Sequence, residues 1–422
     1  MSDLLQAWKV LLISVGFAFA LCMLYLVILR CIAALLIWLT IIAVELGLDA
    51  LGAFLFLKYQ KVNPNVGYDR KMYYGLAITV WVIAGLYLIM LMCLGHKIQQ
   101  AVRIIKEAAR YVQEKPSTLL MPIVMFVFAM IFFAYWIIVA VYTWSSGTFE
   151  YNSNPFASVQ WDNITKYCWW YHLFGLIWIE CFFYSLLQFV VAATVVQWYF
   201  KGDKKNSVSL CKSINWAFRY HLGSLAFGAF LLAVVIFIQI LFEYFRKKIE
   251  NAGGSENKFI VCLLKIARCI LWCCNRFVRF ITSNAYVMIA ISGKNFCLSC
   301  LKAFFLLLKN AFVFALVLVF GIVFIFIGEV SVAVANAFAC YFLLSYWGDI
   351  KDKLYSWVVP VIVCGAIGFL VAMLFMYVYE MGIKALTQCF FTDNEIAERN
   401  KKGRKGDANG LQNFMERKPE KK

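Results

Sequence analysis

The sequence predicts an all-α polytopic membrane protein with about nine transmembrane helices and amphipathic cytoplasmic helices beside them. Three observations carry that prediction. Hydrophobic residues make up 64% of the 422 positions and charged residues only 15%, against about half and about a quarter in ordinary soluble domains. Apolar stretches of the ~18–20 residues needed to cross a bilayer recur from end to end. These runs are uniformly apolar, not the ~10-residue alternating segments of a membrane barrel. Disorder is excluded too, because it requires low hydrophobicity. Lys and Arg number 40 and Asp and Glu 23, a net charge of +17. The basic residues are scattered between spans, where they mark cytoplasmic loops and not a nucleic-acid surface.

The first span covers about Trp8 to Leu29 and the second about Cys31 to Leu57. Only Arg30 separates them, so a tight helical hairpin is expected there. No short apolar stretch with a small-residue cleavage site opens the chain, and the first span is expected to do the targeting. A polar loop with Pro64 and Gly67 leads to a third span, about Met72 to Leu94. From Lys97 to Glu114 the pattern changes. Ile98, Val102, Ile105, Ala109 and Val112 recur at helical spacing, with Lys97, Arg103, Lys106 and Arg110 elsewhere on the turn. This reads as an amphipathic surface helix suited to anionic lipid. A fourth span, about Leu119 to Thr143, precedes a polar loop from Trp144 to Lys166. That loop carries Asn163-Ile164-Thr165, a glycosylation acceptor pattern on the side that charge assigns to the exterior.

The fifth span runs about Cys168 to Phe200 and the sixth about His221 to Phe245. Residues 246–309 are ambiguous. Between Lys258 and Ile281, Phe259, Leu263, Ile266, Ile270, Phe277 and Ile281 share one helical face, and Lys258, Lys265, Arg268, Arg276 and Arg279 the opposite one, with Trp272 an exception on the basic side. Alone, this describes a second interfacial helix. Span parity objects: before the next span, about Ala311 to Val332, either this segment together with Asn284 to Ile291 crosses, or the sixth span is re-entrant. Ser331 to Ser345 reads as a part-inserted helix, and the last span as about Trp357 to Leu386. The chain thus divides into a transmembrane domain, 1–394, and a basic, disordered cytoplasmic tail, 395–422.

No catalytic motif is present, and no cofactor is expected. Fifteen cysteines sit mostly in apolar runs, as Cys22, Cys93, Cys181, Cys340 and Cys364 do. There they pack as small hydrophobes. Cys269, Cys273, Cys274, Cys297 and Cys300 do not form paired Cys-x-x-Cys motifs, and His96, His172 and His221 are dispersed near span ends, so no metal site is expected. Carboxylates within spans are more telling, because each costs about 2.5–3.5 kcal/mol to insert. Glu45, Asp49, Glu329 and Glu380 lie near span ends. Glu180 lies deepest. Tyr184 at i+4, Gln188 at i+8 and Trp169 at i−11 share its face. An anion, aromatic faces and an amide suit a small organic cation held by charge and cation–π attraction.

Specific motifs then carry a resemblance. They include Trp8-Lys9 through Leu29-Arg30 to Trp38, and Gln197-Trp198-Tyr199 followed by Asp203-Lys204. Next come His221-Leu222-Gly223-Ser224-Leu225-Ala226-Phe227-Gly228 and Leu241-Phe242-Glu243-Tyr244. Asn284-Ala285-Tyr286 to Gly293-Lys294-Asn295-Phe296-Cys297 follows, and Val378-Tyr379-Glu380-Met381 through Cys389-Phe390 closes the set. In this order the chain resembles the choline transporter-like family over nearly its whole length. The resemblance implies about ten spans with both ends cytoplasmic, one of them within residues 258–291. It implies a plasma-membrane protein that takes up choline, or ethanolamine for some members, in exchange for protons. It also implies a further span and a large extracellular domain ahead of the position where Met1 stands. The alternative class is a non-transporting membrane scaffold or assembly subunit, distinguished by a stable partner and no ligand-dependent stabilisation.

Overall fold

The structure, a computed structural model, describes residues 6–61, 67–150, 158–201, 208–251, 258–346 and 356–400. Ten α-helices run through them: α1 Trp8–Lys61, α2 Gly67–Glu114, α3 Leu120–Ser145, α4 Asn163–Tyr199, α5 Leu210–Trp216, α6 Leu222–Asn251, α7 Lys258–Ser292, α8 Phe296–Lys309, α9 Ala311–Tyr346 and α10 Val358–Asn400. A 3₁₀ turn, Pro116–Leu119, leads into α3, and a π-helical turn, Ala217–His221, joins α5 to α6. The only strands among the described residues are β1 Thr148–Glu150 and β2 Ser158–Gln160, a short antiparallel pair. The all-α class therefore holds, with this small ladder added in the loop between α3 and α4.

Seven helical stretches among the described residues are long and apolar enough to cross a membrane. The difference from about nine has two sources. First, the two expected N-terminal spans are one helix. At ~1.5 Å per residue, α1 is about 80 Å long. Nothing between Leu29 and Cys31 breaks it, because Arg is a good helix former and neither Gly nor Pro is near. Arg30 instead donates to the Gln113 side chain on α2 at 3.4 Å, and Gln113 donates to the Leu26 carbonyl at 2.9 Å. The hairpin forms between α1 and α2: Gly52 and Phe56 meet Trp81, and Tyr59 meets Tyr74. Second, α7 is a single continuous helix whose charged face keeps it below the apolarity of a span. Its Arg268 pairs with Glu243 of α6 at 3.0 Å, and its Asn275 donates to Gln239 at 2.6 Å.

The described chain divides into two compact units. One holds residues 6–114 and 310–383, that is α1, α2, α9 and the first part of α10. In α1 the buried residues Val10, Ser14, Ala18, Cys22, Leu26, Leu29, Ala33, Ile37 and Ile41 form a stripe at steps of three or four. Many are small, which lets helices approach closely in lipid. Tyr25 donates to the Phe324 carbonyl of α9 at 2.6 Å, beside Gly328. Residues 97–114 were expected to lie on the membrane surface. They are instead the last turns of α2, with Ile98, Ile105, Ala109, Tyr111 and Val112 buried. Tyr379 of α10 donates to the Ile105 carbonyl at 3.3 Å. The apolar face is covered by protein, so it is not available to lipid. Arg110 pairs with Glu107 at 3.5 Å and Glu114 at 2.8 Å. Burial raises the Glu107 carboxyl above its ordinary value, against the lowering pull of Arg110 and Arg30. Ser331 to Ser345, expected as a separate part-inserted helix, continues α9. There the buried Asn336 donates to the Cys364 carbonyl of α10 at 2.6 Å.

The second unit holds residues 115–309 and 384–400, that is α3 to α8, β1, β2 and the end of α10. Its axis is α4, buried all round from Ser185 to Val196. α3, α6 and α7 pack along it. Polar groups gather at its Tyr199 end. Gln197 donates to Ser213 at 2.7 Å, Tyr199 to Asp393 at 3.3 Å, and Gln388 to Asn284 at 2.8 Å. α10 carries the chain through the expected domain boundary at 394 to Asn400, and Lys309 pairs with Glu398 at 3.2 Å. The rest of the expected tail, 401–422, lies outside the described residues.

Candidate functional site

α4 builds the site along its length. Asp162 caps its N-terminus, accepting from the Thr165 backbone N–H at 2.9 Å. Hydrogen bonds from the Thr165 hydroxyl and N–H hold the Asp162 carboxyl below its usual range. Asn163 is exposed at the first helical position.

The first three turns of α4 form one wall of a cavity of about 480 Å³. Trp169 and Trp170 come from α4, Trp144 from the end of α3, Trp161 from the segment before α4, and Tyr244 from α6. Trp144 stands nearly perpendicular to both of its partners. Its ring lies 4.5 Å from Trp161 at 69° and 6.1 Å from Trp169 at 72°. Trp170 and Tyr244 lie 5.4 Å apart at 75°. The Trp161 N–H donates to the Trp144 carbonyl at 3.2 Å, which ties that ring to α3. Behind Trp169, Trp136 stacks on His172 at 4.9 Å and 3°. The Trp136 N–H donates to the His172 carbonyl at 3.1 Å, fixing α3 to α4.

Glu180 lies three turns further along. It is half-buried, and its Oε1 is enclosed with no hydrogen-bond partner among the described residues. Buried polar atoms nearly always find one. Glu45 of α1 has one such oxygen as well, in the other unit. Gln188 is buried at 3% exposure, whereas Tyr184 is 41% exposed. Eleven residues of helix put about 16 Å of axial rise between Trp169 and Glu180. One small cation cannot touch both. The stripe read from the sequence therefore covers two places: Trp169 in the aromatic cavity, and Glu180, Tyr184 and Gln188 along the middle of α4.

Sequence reasoning did not assign Trp144, Trp161, Trp170 or Tyr244 to a site, although Tyr244 stands in one of the motifs that carry the resemblance. A signal was present, since four of the chain's 14 tryptophans fall between positions 144 and 170. Elsewhere, no three His, Cys, Asp or Glu side chains gather to hold a metal ion among the described residues. The 14 cysteines whose side chains are described are all free thiols.

Residues 78–395 match the family model described as plasma-membrane choline transporter. The chain is 30% identical over 410 residues to choline transporter-like protein 2 of Dictyostelium discoideum, covering 94% of this chain and 64% of that protein. It is 31% identical to choline transporter-like protein 1 of Rattus norvegicus, covering 88% and 58%. It is 28% identical to the Caenorhabditis elegans protein of the same name, covering 93% and 56%. The chain thus spans less than two thirds of the length of these relatives. With a matching model over three quarters of the sequence and a multi-pass apolar fold, the chain belongs to the choline transporter-like family.

Proposed function

We propose that this chain is the membrane-embedded part of a plasma-membrane transporter for choline or a related small organic cation, ethanolamine included. The observation that carries the reading is Glu180. Its carboxylate has an enclosed, unpartnered oxygen midway along the central helix of its unit. An ionisable group there is costly, and it faces a pathway more often than it serves packing. A small cation supplies the missing partner, and the buried amide of Gln188 lies two turns further on. Tyr184, one turn from Glu180, completes this candidate set.

The test is uptake of labelled choline by the purified chain in liposomes. Saturable uptake supports the reading. Absence of uptake from folded, inserted protein would move the assignment to the scaffold class. Exchange against protons belongs to the same proposal. An inside-acid gradient is then expected to raise the initial rate of choline entry, and a rate indifferent to the gradient argues against coupling. Anionic lipid at the exposed basic face of α7 is a further part of it, to be read as a rate difference between anionic and neutral liposomes.

Asn163 carries a second prediction. It is exposed beside the aromatic cavity, in an Asn-Ile-Thr pattern. Expression in a glycosylating host is expected to give one glycan whose gel shift disappears in Asn163→Gln. An unchanged mobility in that variant would place any glycan elsewhere.

A further inference from the structure

We propose that the five-ring cavity at the Asn163 end of α4 is a second binding site, selective for a quaternary ammonium group and separate from Glu180. The ammonium chemistry rests on the transport reading above, but the site's existence does not. A trimethylammonium group has no N–H to donate. It is held by the π-faces of surrounding rings and by contact with its methyl groups. Trp144, Trp161, Trp169, Trp170 and Tyr244 supply such faces from α3, the segment before α4, α4 and α6. Their near-perpendicular pairing makes walls and not a flat stack. About 480 Å³ falls within the ~300–1,000 Å³ range of small-molecule sites.

The polar part of the lining is as informative as the rings. It consists of Thr143, Thr165 and Lys166, and no carboxylate lines the cavity among the described residues. A primary ammonium, which needs acceptors for its N–H groups, finds only two hydroxyls. A methylated one needs none. The cavity therefore discriminates by methylation, where a carboxylate such as Glu180 discriminates by charge. Lys166 is exposed at the edge. Its charge opposes any lone cation at that edge, choline included, and favours a phosphate next to the ammonium. The trimethylammonium could therefore arrive as free choline or as the headgroup of a phosphocholine lipid.

Binding of labelled choline to the purified chain, counted per molecule, tests this. The parent is expected to bind two cholines, Glu180→Gln one, and Glu180→Gln combined with Trp169→Leu none. In the Glu180→Gln chain, tetramethylammonium should displace the remaining choline at least tenfold better than ethanolamine. Trp169→Phe, which keeps a ring, should retain most of the binding and controls for folding. Transfer into phosphocholine-lipid discs reads the source: weaker choline binding than in phosphoglycerol discs identifies the lipid headgroup, equal binding identifies the free cation.

The proposal is overturned if Glu180→Gln abolishes all binding, if Trp169→Leu changes nothing in that background, or if ethanolamine competes as well as tetramethylammonium. Its failure is distinct from failure of the transport reading. Uptake without a second site removes only the cavity, and cavity binding without uptake removes only transport.

Discussion

Glu180→Gln is expected to lower choline uptake at least tenfold while leaving the protein as stable as the parent, or more so. The two halves of that expectation have the same physical origin. A half-buried carboxylate in an apolar span is held at a cost of about 2.5–3.5 kcal/mol on insertion scales. No described side chain offsets it at Oε1. Gln keeps the shape and removes the charge, so the folded state loses nothing it was using. The bound cation, in contrast, loses its counter-charge. Removing one member of a buried pair costs about 3–5 kcal/mol, and each 1.4 kcal/mol is about tenfold in affinity. Partial exposure of Glu180 discounts this to the tenfold floor. Uptake and thermal unfolding should be measured on the same preparation. A variant that transports normally, or one that unfolds well below the parent, would assign Glu180 to packing.

Gly328→Ala is expected to destabilise the protein by up to about 2 kcal/mol, the usual cost of about 1–3 kcal/mol for forcing volume into a packed site less the gain in helix propensity. A Cβ at Gly328 would lie 2.6 Å from the Tyr25 ring and 3.0 Å from the Met376 methyl. The ring has little room to yield, because its hydroxyl is tied to the Phe324 carbonyl at 2.6 Å. Helix propensity works the other way, since Ala is favoured over Gly by about 1 kcal/mol in a helix interior. Gly85 of α2 isolates that term: it is exposed, with nothing within 4 Å of its would-be Cβ. Gly85→Ala should therefore be neutral or stabilising. Denaturant titration of both variants separates the effects by sign. Equal responses would mean that the Tyr25 contact does not constrain the helices.

Much of the architecture was legible in the residues. The third to sixth spans and the last two appear within helices at the expected places, because transfer into lipid depends on composition over some twenty residues. The sequence places a break at Arg30 that the structure lacks, because one charge between apolar runs is a topology signal only when the backbone also turns. A partner on α2 let it stay helical. The stretch from Lys97 to Glu114 differs from its sequence pattern for the opposite reason. Its pattern shows an apolar face but not what covers it, and α10, far away in sequence, supplies Tyr379.

The site divides in the same way. Glu180 was visible because a charge stands out against a span. The tryptophan cavity was not, because aromatics are common throughout the chain and its rings come from α3, the segment before α4, α4 and α6. The sequence alone determined that this is a helical membrane protein, which stretches are apolar and to which family it belongs. Only the tertiary structure decided which face of each helix meets protein. In α1, Val10, Ala18 and Cys22 are buried while Leu12, Leu24 and Leu35 are exposed. In water such a choice is written as polar against apolar. In lipid both faces are apolar, so small size and fit to a neighbour decide, and those depend on residues distant in the chain.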